Sequence, residues 1–289
     1  MLAKPAYESI ERMEDGGYLI KSKELFGLLS EAGKVTCRPQ FKYIVPYGPG
    51  SFIAETGKGV IGFIDETGKT QEKIGESVFI GHYEQNGQTE GPEPIEWIIM
   101  ENKDGRIMLL SRLTLDAKAF DENASREKDH FWEDATLRAW LNEVFLNSAF
   151  SGEEQELLFQ GAVDNSSCLL SGDDSDAVSD WSAGKKNGNS TTDRVFLLSY
   201  SEVLRYFRTD AEQYCQPSES AAKDTGLLVD QGTGSCVWWT RTPGYSMGDA
   251  AMISYEGGLL MADTNFIAGV RPAVWIELSK LAEFLNPQE

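Results

Sequence analysis

The chain has 289 residues, 41% of them hydrophobic and including 7 Trp, 14 Phe and 10 Tyr, which is enough apolar material for a packed core and too much for a wholly disordered polymer. Its 46 acidic against 26 basic residues leave a net charge of −20, a field that repels phosphate backbones and anionic head groups, so nucleic acid and membrane surfaces are poor partners. No apolar run near Met1 has the form of a leader, and no stretch reaches the ~20 apolar residues of a membrane span.

With Met1 at the start the expectation is a cytoplasmic protein, or an extracellular one if a leader has been removed. The first feature along the chain is a repeat. Lys4, Pro5, Tyr7, Ile10, Gly16 and Tyr18 recur as Arg38, Pro39, Phe41, Ile44, Gly50 and Phe52 at an offset of 34. After a slip of one residue, GLLSEAGK (27–34) recurs as GFIDETGK (62–69). Each copy carries an apolar run into a Glu-x-Gly-Lys turn whose glycine supplies the positive φ of a tight hairpin, so each unit is expected to be a few short antiparallel strands. These strings resemble the bacterial WG-repeat family over about the first seventy residues. The tryptophan that names the family is replaced by Phe26 and Ile61, and the resemblance implies a β scaffold used for contacts, with no catalytic residue to carry over.

Past Thr70 the composition changes, and the expected division is residues 1–72 as two repeats and 73–289 as one larger domain. Strands are expected at 95–100 and 106–111, joined as a hairpin by Lys103, Asp104 and Gly105. Leu137, Trp140, Leu141, Val144 and Phe145 then fall on one face of a helix. Ser151 with Glu154, and Ser199 with Glu202, are capping boxes that open two further helices. Between them, residues 166–193 have the composition of a long exposed loop, and the remaining expected strands are 195–198, 236–240, 250–254, 259–262 and 266–278.

Five strings stand out: Glu93-Pro94-Ile95-Glu96-Trp97, Leu137-Arg138-Ala139-Trp140-Leu141-Asn142, residues 193–199 (DRVFLLS), residues 238–244 (WWTRTPG) and residues 269–275 (GVRPAVW). Together they closely resemble a bacterial family known only as domain of unknown function number 6273, over about residues 75–280. That resemblance implies a domain and no assigned chemistry. The early helices, long loops and closing strands also resemble the C-type-lectin-like fold, which formylglycine-generating enzymes share; this implies ligands meeting the loops around Trp239, Arg241 and Tyr245.

Arg241 and Arg271 each sit beside aromatic residues and, if buried, need a carboxylate such as Glu96 or Glu256. Two readings stay open: a guanidinium fork for an anionic or sugar ligand beside a Trp platform, or a Trp-Arg cluster that locks the terminal strands, which is the commoner role. Asp173, Asp174, Asp176 and Asp180 offer oxygens to calcium, but without EF-hand spacing the solvated loop is the simpler reading. Cys37, Cys168, Cys215 and Cys236 have no metal spacing and, with only His82 and His130 besides, read as free thiols. No phosphate loop, nucleophile elbow or zincin helix is present, and Gly232-Thr233-Gly234-Ser235 reads as a plain turn. The formylglycine-generating likeness implies a cysteine pair working with copper, for which Cys215 and Cys236 are the candidates, although no spacing demands that they meet.

The expectation is therefore an α+β protein, two β-repeats and a domain of C-type-lectin-like form, that recognises a protein or a glycan without catalysis. Its candidate ligand residues are Trp239, Arg241, Tyr245 and Arg271, with no catalytic or metal residue and no cofactor, calcium aside. Two alternatives are an oxidoreductase of the formylglycine-generating class and a structural subunit of a larger assembly.

Overall fold

The computed structural model describes residues 7–285 apart from 15, 57, 89–90, 166–187 and 245. The proposed calcium ligands Asp173, Asp174, Asp176 and Asp180, together with Cys168, Tyr245, Lys4 and Pro5, lie outside the described residues. The chain forms two compact units: one contains residues up to Glu76 with Glu101–Met108 and the stretch from Ile276 on, the other Ser77–Met100 and Leu109–Trp275.

In the first unit seven strands follow one another as a meander: β1 (Ser9–Arg12), β2 (Tyr18–Ser22), β3 (Leu25–Leu29), β4 (Val35–Gly48), β5 (Ser51–Thr56), β6 (Ile61–Asp65) and β7 (Thr70–Gln71). The sequence repeat is a repeat of geometry. Gly33 N–H donates to Ser30 O at 2.8 Å and Ser30 N–H to Lys34 O at 2.9 Å; thirty-five residues on, Gly68 donates to Asp65 at 2.9 Å and Asp65 to Lys69 at 2.9 Å. Both glycines take the left-handed conformation, φ 74° and 79°. Leu28, Cys37, Phe41, Ile44, Phe52, Ala54 and Ile64 form this unit's own core, with Met13, Leu19 and Phe26 packed on it.

The second unit is built on two five-stranded sheets and a two-stranded one, the ends of three strands at Glu101–Lys103, Arg106–Met108 and Ile276–Glu277 being counted with the first unit. Beyond β8 (Ser77–Tyr83), β9 (Glu93–Lys103) and β10 (Arg106–Ser111) come β11 (Asp116–Lys118), β12 (Gly161–Val163), β13 (Thr191–Asp193), β14 (Val195–Phe196), β15 (Trp238–Pro243), β16 (Asp249–Ile253), β17 (Leu259–Asp263), β18 (Ala268–Val270) and β19 (Ala273–Glu277). One sheet has the order β14, β19, β10, β9, β8 and the other β11, β18, β15, β16, β17, while β12 pairs with β13. The expected hairpin at 95–111 forms, turning on Asp104 and Gly105 at φ 52° and 74° as a two-residue loop of the type that matches strand twist. The stretch expected as one strand, 266–278, is two, broken at Arg271 and Pro272, because proline has no N–H for a ladder.

The α+β expectation is corrected. The structure is 42% strand and 18% helix, with several antiparallel sheets, so the fold is largely β. Every expected helix is present, but the two opened by capping boxes stop within about two turns. The helix expected across 137–145 is α1 (Thr136–Trp140), a π turn at Leu141–Phe145 and α2 (Leu146–Ala149). Ser151 caps α3 (Gly152–Leu157) and Ser199 caps α4 (Tyr200–Tyr206), each with the full reciprocal box. The π turn adds a residue, so the i+7 position rotates off the buried face. Leu137, Leu141 and Phe145 are buried as the periodicity requires, whereas Val144 is 54% exposed and Trp140 only half-buried.

Candidate functional site

The residues singled out by sequence lie mostly in the core of the second unit. Trp239, in β15, is fully buried, its indole N–H donating to Lys118 O at 2.9 Å and its ring edge-on to Phe120. Arg241, two residues on, is 3% exposed and spends all its donor groups inside the chain. Its Nε donates to Asn165 Oδ1 at 3.0 Å, Nη1 to Leu197 O at 2.7 Å and to the Glu202 carboxylate, and Nη2 to Asp164 O at 3.0 Å and Glu202 Oε1 at 3.1 Å. The counter-ion is Glu202, the capping-box residue of α4, and neither Glu96 nor Glu256. Glu96 accepts from Ser77 and Arg112, and the Glu256 N–H sits in the β16–β17 turn on Ser254 Oγ.

Arg271 is also 3% exposed but is held differently. Its guanidinium lies 5.0 Å from the Trp238 ring centroid and 5.6 Å from that of Phe207, and Nε donates to Ser111 O at 3.1 Å. Its Nη1 has no hydrogen-bond partner, and no described carboxylate lies within ion-pair distance. Next to it the structure joins two groups that spacing left apart. Cys236 N–H donates to Cys215 O at 2.8 Å, the Cys236 thiol lies 3.4 Å from that same oxygen, and Thr114 Oγ1 is 3.3 Å from Cys236 Sγ. Burial, and then the neighbouring Cys215, push the Cys236 thiol up to about 12, against the pull of Thr114 and the Arg271 charge. Burial likewise raises Cys215. At neutral pH both are thiols and not thiolates, the form that reacts poorly. Among the described residues no group of three or more His, Cys, Asp or Glu is placed to hold a metal ion.

A second buried ion site joins α1 to β13. Asp193 Oδ2 accepts from Trp132 Nε1 at 3.0 Å and Thr191 Oγ1 at 2.6 Å, and Oδ1 from Arg138 Nε at 2.8 Å. Asn142, in the π turn, accepts from Arg194 N and Val195 N and donates to Val195 O and Arg138 O, tying the turn to the start of β14. These groups are satisfied within the fold.

A cluster of the same residue types reaches the surface, and sequence reading missed it. Asp116 and Lys118 alternate along β11, Tyr83 ends β8 and Trp140 ends α1. Tyr83 donates to Asp116 Oδ2 at 2.7 Å, Asp116 Oδ1 accepts from Ala117 N at 2.8 Å, and Lys118 Nζ stands 3.8 Å from Asp116 Oδ1 and 4.5 Å from the Trp140 ring centroid. The Lys118 and Asp116 side chains are 30% and 27% exposed, and Trp140 and Tyr83 are half-buried. Burial and then the Asp116 charge raise the Tyr83 phenol, which therefore stays a donor at any physiological pH. The patch combines a cation, an anion, a hydroxyl and an indole, with the lysine held over the ring. The alternation Leu-Asp-Lys at 115, 116 and 118 was the available signal, short enough to pass for a loop.

A largely β protein with arginine and tryptophan clamps in its core and an aromatic-ionic patch of Tyr83, Asp116, Lys118 and Trp140 at its surface is thus defined. Over residues 104–278 the chain matches the model of a family described as a domain of unknown function (DUF6273), and it belongs to that family. Four of the five strings fall inside the match, and Glu93 to Trp97 falls outside it. Neither the curated proteins nor the solved structures contain a match to the chain.

Proposed function

We propose that this chain is a non-catalytic recognition protein that meets a protein or glycan ligand through the patch of Tyr83, Asp116, Lys118 and Trp140. The observation that carries this reading is the half-buried indole held beneath an ammonium group and beside a carboxylate, at the surface, while Trp239 and Arg241 are buried with their polar groups engaged inside the fold. An aromatic ring flanked by a donor and an acceptor is what a sugar ring or a polar protein side chain packs on. The first unit serves in this reading as a WG-like contact scaffold, supported by the equivalence of its two Glu-x-Gly-Lys turns.

A thermal-shift screen of the full chain against glycans and divalent metals tests the proposal. A glycan that raises the melting temperature of the parent protein, and fails to do so with Trp140→Ala, is the expected result. A shift that Trp140→Ala leaves intact would move the site elsewhere. One observation favours a second reading, an oxidoreductase of the formylglycine-generating class: Cys215 and Cys236 lie side by side. That reading requires a rise with copper that is lost in Cys236→Ala, and a screen without one sinks it.

A further inference from the structure

The outer strand β17 ends the sheet of β11, β18, β15, β16 and β17, and its hydrogen-bond register shows what it leaves open. It pairs with β16 from Asp249 opposite Asp263 to Ile253 opposite Leu259. Thr264 N–H donates to Gly248 O at 2.8 Å at one end, and Ser254 N–H to Gly258 O at 3.0 Å at the other. In an antiparallel ladder hydrogen-bonded and non-hydrogen-bonded pairs alternate, so residues 260, 262 and 264 bond inward to β16, as does the carbonyl of Gly258, whose N–H donates to Gln213 Oε1 at 3.2 Å. Leu259 and Met261 consequently turn both N–H and C=O outward, as does the N–H of Asp263, whose carbonyl is taken by Phe266 N–H at 2.8 Å. No other described strand pairs with this edge. The side chains along it, Leu259, Leu260, Met261 and Ala262, are uncharged and none is buried, with Leu260 39% exposed. Natural edges are usually blunted by lysine, proline or a bulge, and β17 has none of these between Leu259 and Ala262.

The ends of the hairpin fix the charge of what it can take. Asp249 and Asp263 face each other at one end, and Glu256 and Asp210 flank the turn at the other, where Asp210 O lies against Gly257. Arg126 pairs with Asp263, and Lys128 lies beside the same end, its carbonyl accepting from Gly248 N–H, so that end carries both signs of charge and, among the described residues, the turn is the more acidic end. A second copy adding its own β17 would bring together two chains that each carry −20.

We propose that β17 is a docking edge for an extended, basic segment of another protein, which would add a strand to this sheet with its apolar side chains on Leu260 and its cations toward the acidic turn of Asp210 and Glu256. This site is separate from the Trp140 patch and does not depend on that reading.

Fluorescence anisotropy of the full chain with two labelled synthetic octapeptides provides the test, one alternating lysine with valine and one alternating glutamate with valine. The lysine peptide is expected to bind at least about tenfold more tightly. Met261→Pro removes an outward N–H at an edge position where proline is tolerated, and leaves the net charge unchanged, so general attraction to an acidic protein is not moved by it. It is expected to abolish binding while the melting temperature is retained. Should Met261→Pro fail to fold, Leu260→Lys decides, because its backbone bonds inward while its side chain opposes a basic strand; a loss of about tenfold is expected. Binding of the lysine peptide that survives both variants, or no binding at all, overturns the proposal. So does a dimer in light scattering that Met261→Pro or Leu260→Lys dissociates, since the edge would then belong to a second copy.

Discussion

Arg241 and Arg271 stand in similar strings, and both are buried, but the groups around them give opposite expectations. Replacing Arg241 by Met strands Leu197 O, Asp164 O and Asn165 Oδ1 and leaves Glu202 without its counter-ion, which should cost about 3 to 5 kcal/mol in the urea unfolding midpoint. Arg271 has no carboxylate to abandon among the described residues, and Met can keep the contact with Trp238 and Phe207. The loss of one bond to Ser111 O should cost about 1 kcal/mol. Equal losses would show that Arg271 has a counter-ion the geometry does not reveal. The thiol beside it gives a pH signature. Burial raises the Cys236 pKa in the folded chain to about 12 from the ordinary thiol value of 9.0, so it favours the fold fully below about pH 9, and that contribution is lost as pH rises toward 12. The stability difference between the parent and Cys236→Ala should shrink across that window and be constant below it. The Trp-Arg strings were legible in sequence as clamps or as a site, but the choice of Glu202 as counter-ion was not. A capping-box carboxylate has an evident local use, and only the packing of α4 on β15 gives it a second one.

At the scale of elements, local signals were read correctly and their extent was not. Both capping boxes form because a Ser and a Glu three residues apart satisfy each other's backbone groups without tertiary help. What sequence could not give was how soon each helix ends. After α3 the chain turns extended at Leu158, and Phe159 N–H pairs with Trp275 O at 2.7 Å, a contact more than a hundred residues distant. One longer and two short helical segments were thus read as enough for an α+β fold, while β8 and β11, which carry Tyr83, Asp116 and Lys118, went unread. Glu154 makes the capping box testable. Burial raises its carboxyl, but backbone bonds from Ser151 N and Gly81 N, both 2.9 Å, outweigh this and hold it below the ordinary carboxylate range. A lowered folded pKa stabilises above the unfolded value of 4.5 and loses its effect as pH falls through the folded value. Glu154→Gln should therefore cost about 1 kcal/mol at pH 7 and progressively less below pH 4.5, read from denaturant midpoints across pH.

For the molecule as a whole, the repeat was the most legible feature, because a tight turn imposes its residues locally and an offset of 34 or 35 can be counted. The two copies nevertheless differ in what surrounds their glycines. Gly33 and Gly68 share the left-handed conformation, so a Cβ at either should cost about 1 to 2 kcal/mol from the backbone alone. A Cβ on Gly33 meets nothing within 4 Å, whereas one on Gly68 would lie 2.5 Å from Cys37 Sγ and 3.3 Å from the Phe41 ring, both in the first unit's core. Cys37 is buried, and its sulfur also accepts from Gln40 and donates to Arg38 O, so it has little freedom to retreat. Gly68→Ala should then cost a further 1 to 3 kcal/mol or so beyond Gly33→Ala in urea unfolding of the full chain. Cys37→Ala should recover part of that excess in the double variant by removing the sulfur from the space the new methyl needs. Equal costs at the two glycines would mean that the second turn is not pressed against the core, and that the repeats are interchangeable in energy as they are in backbone.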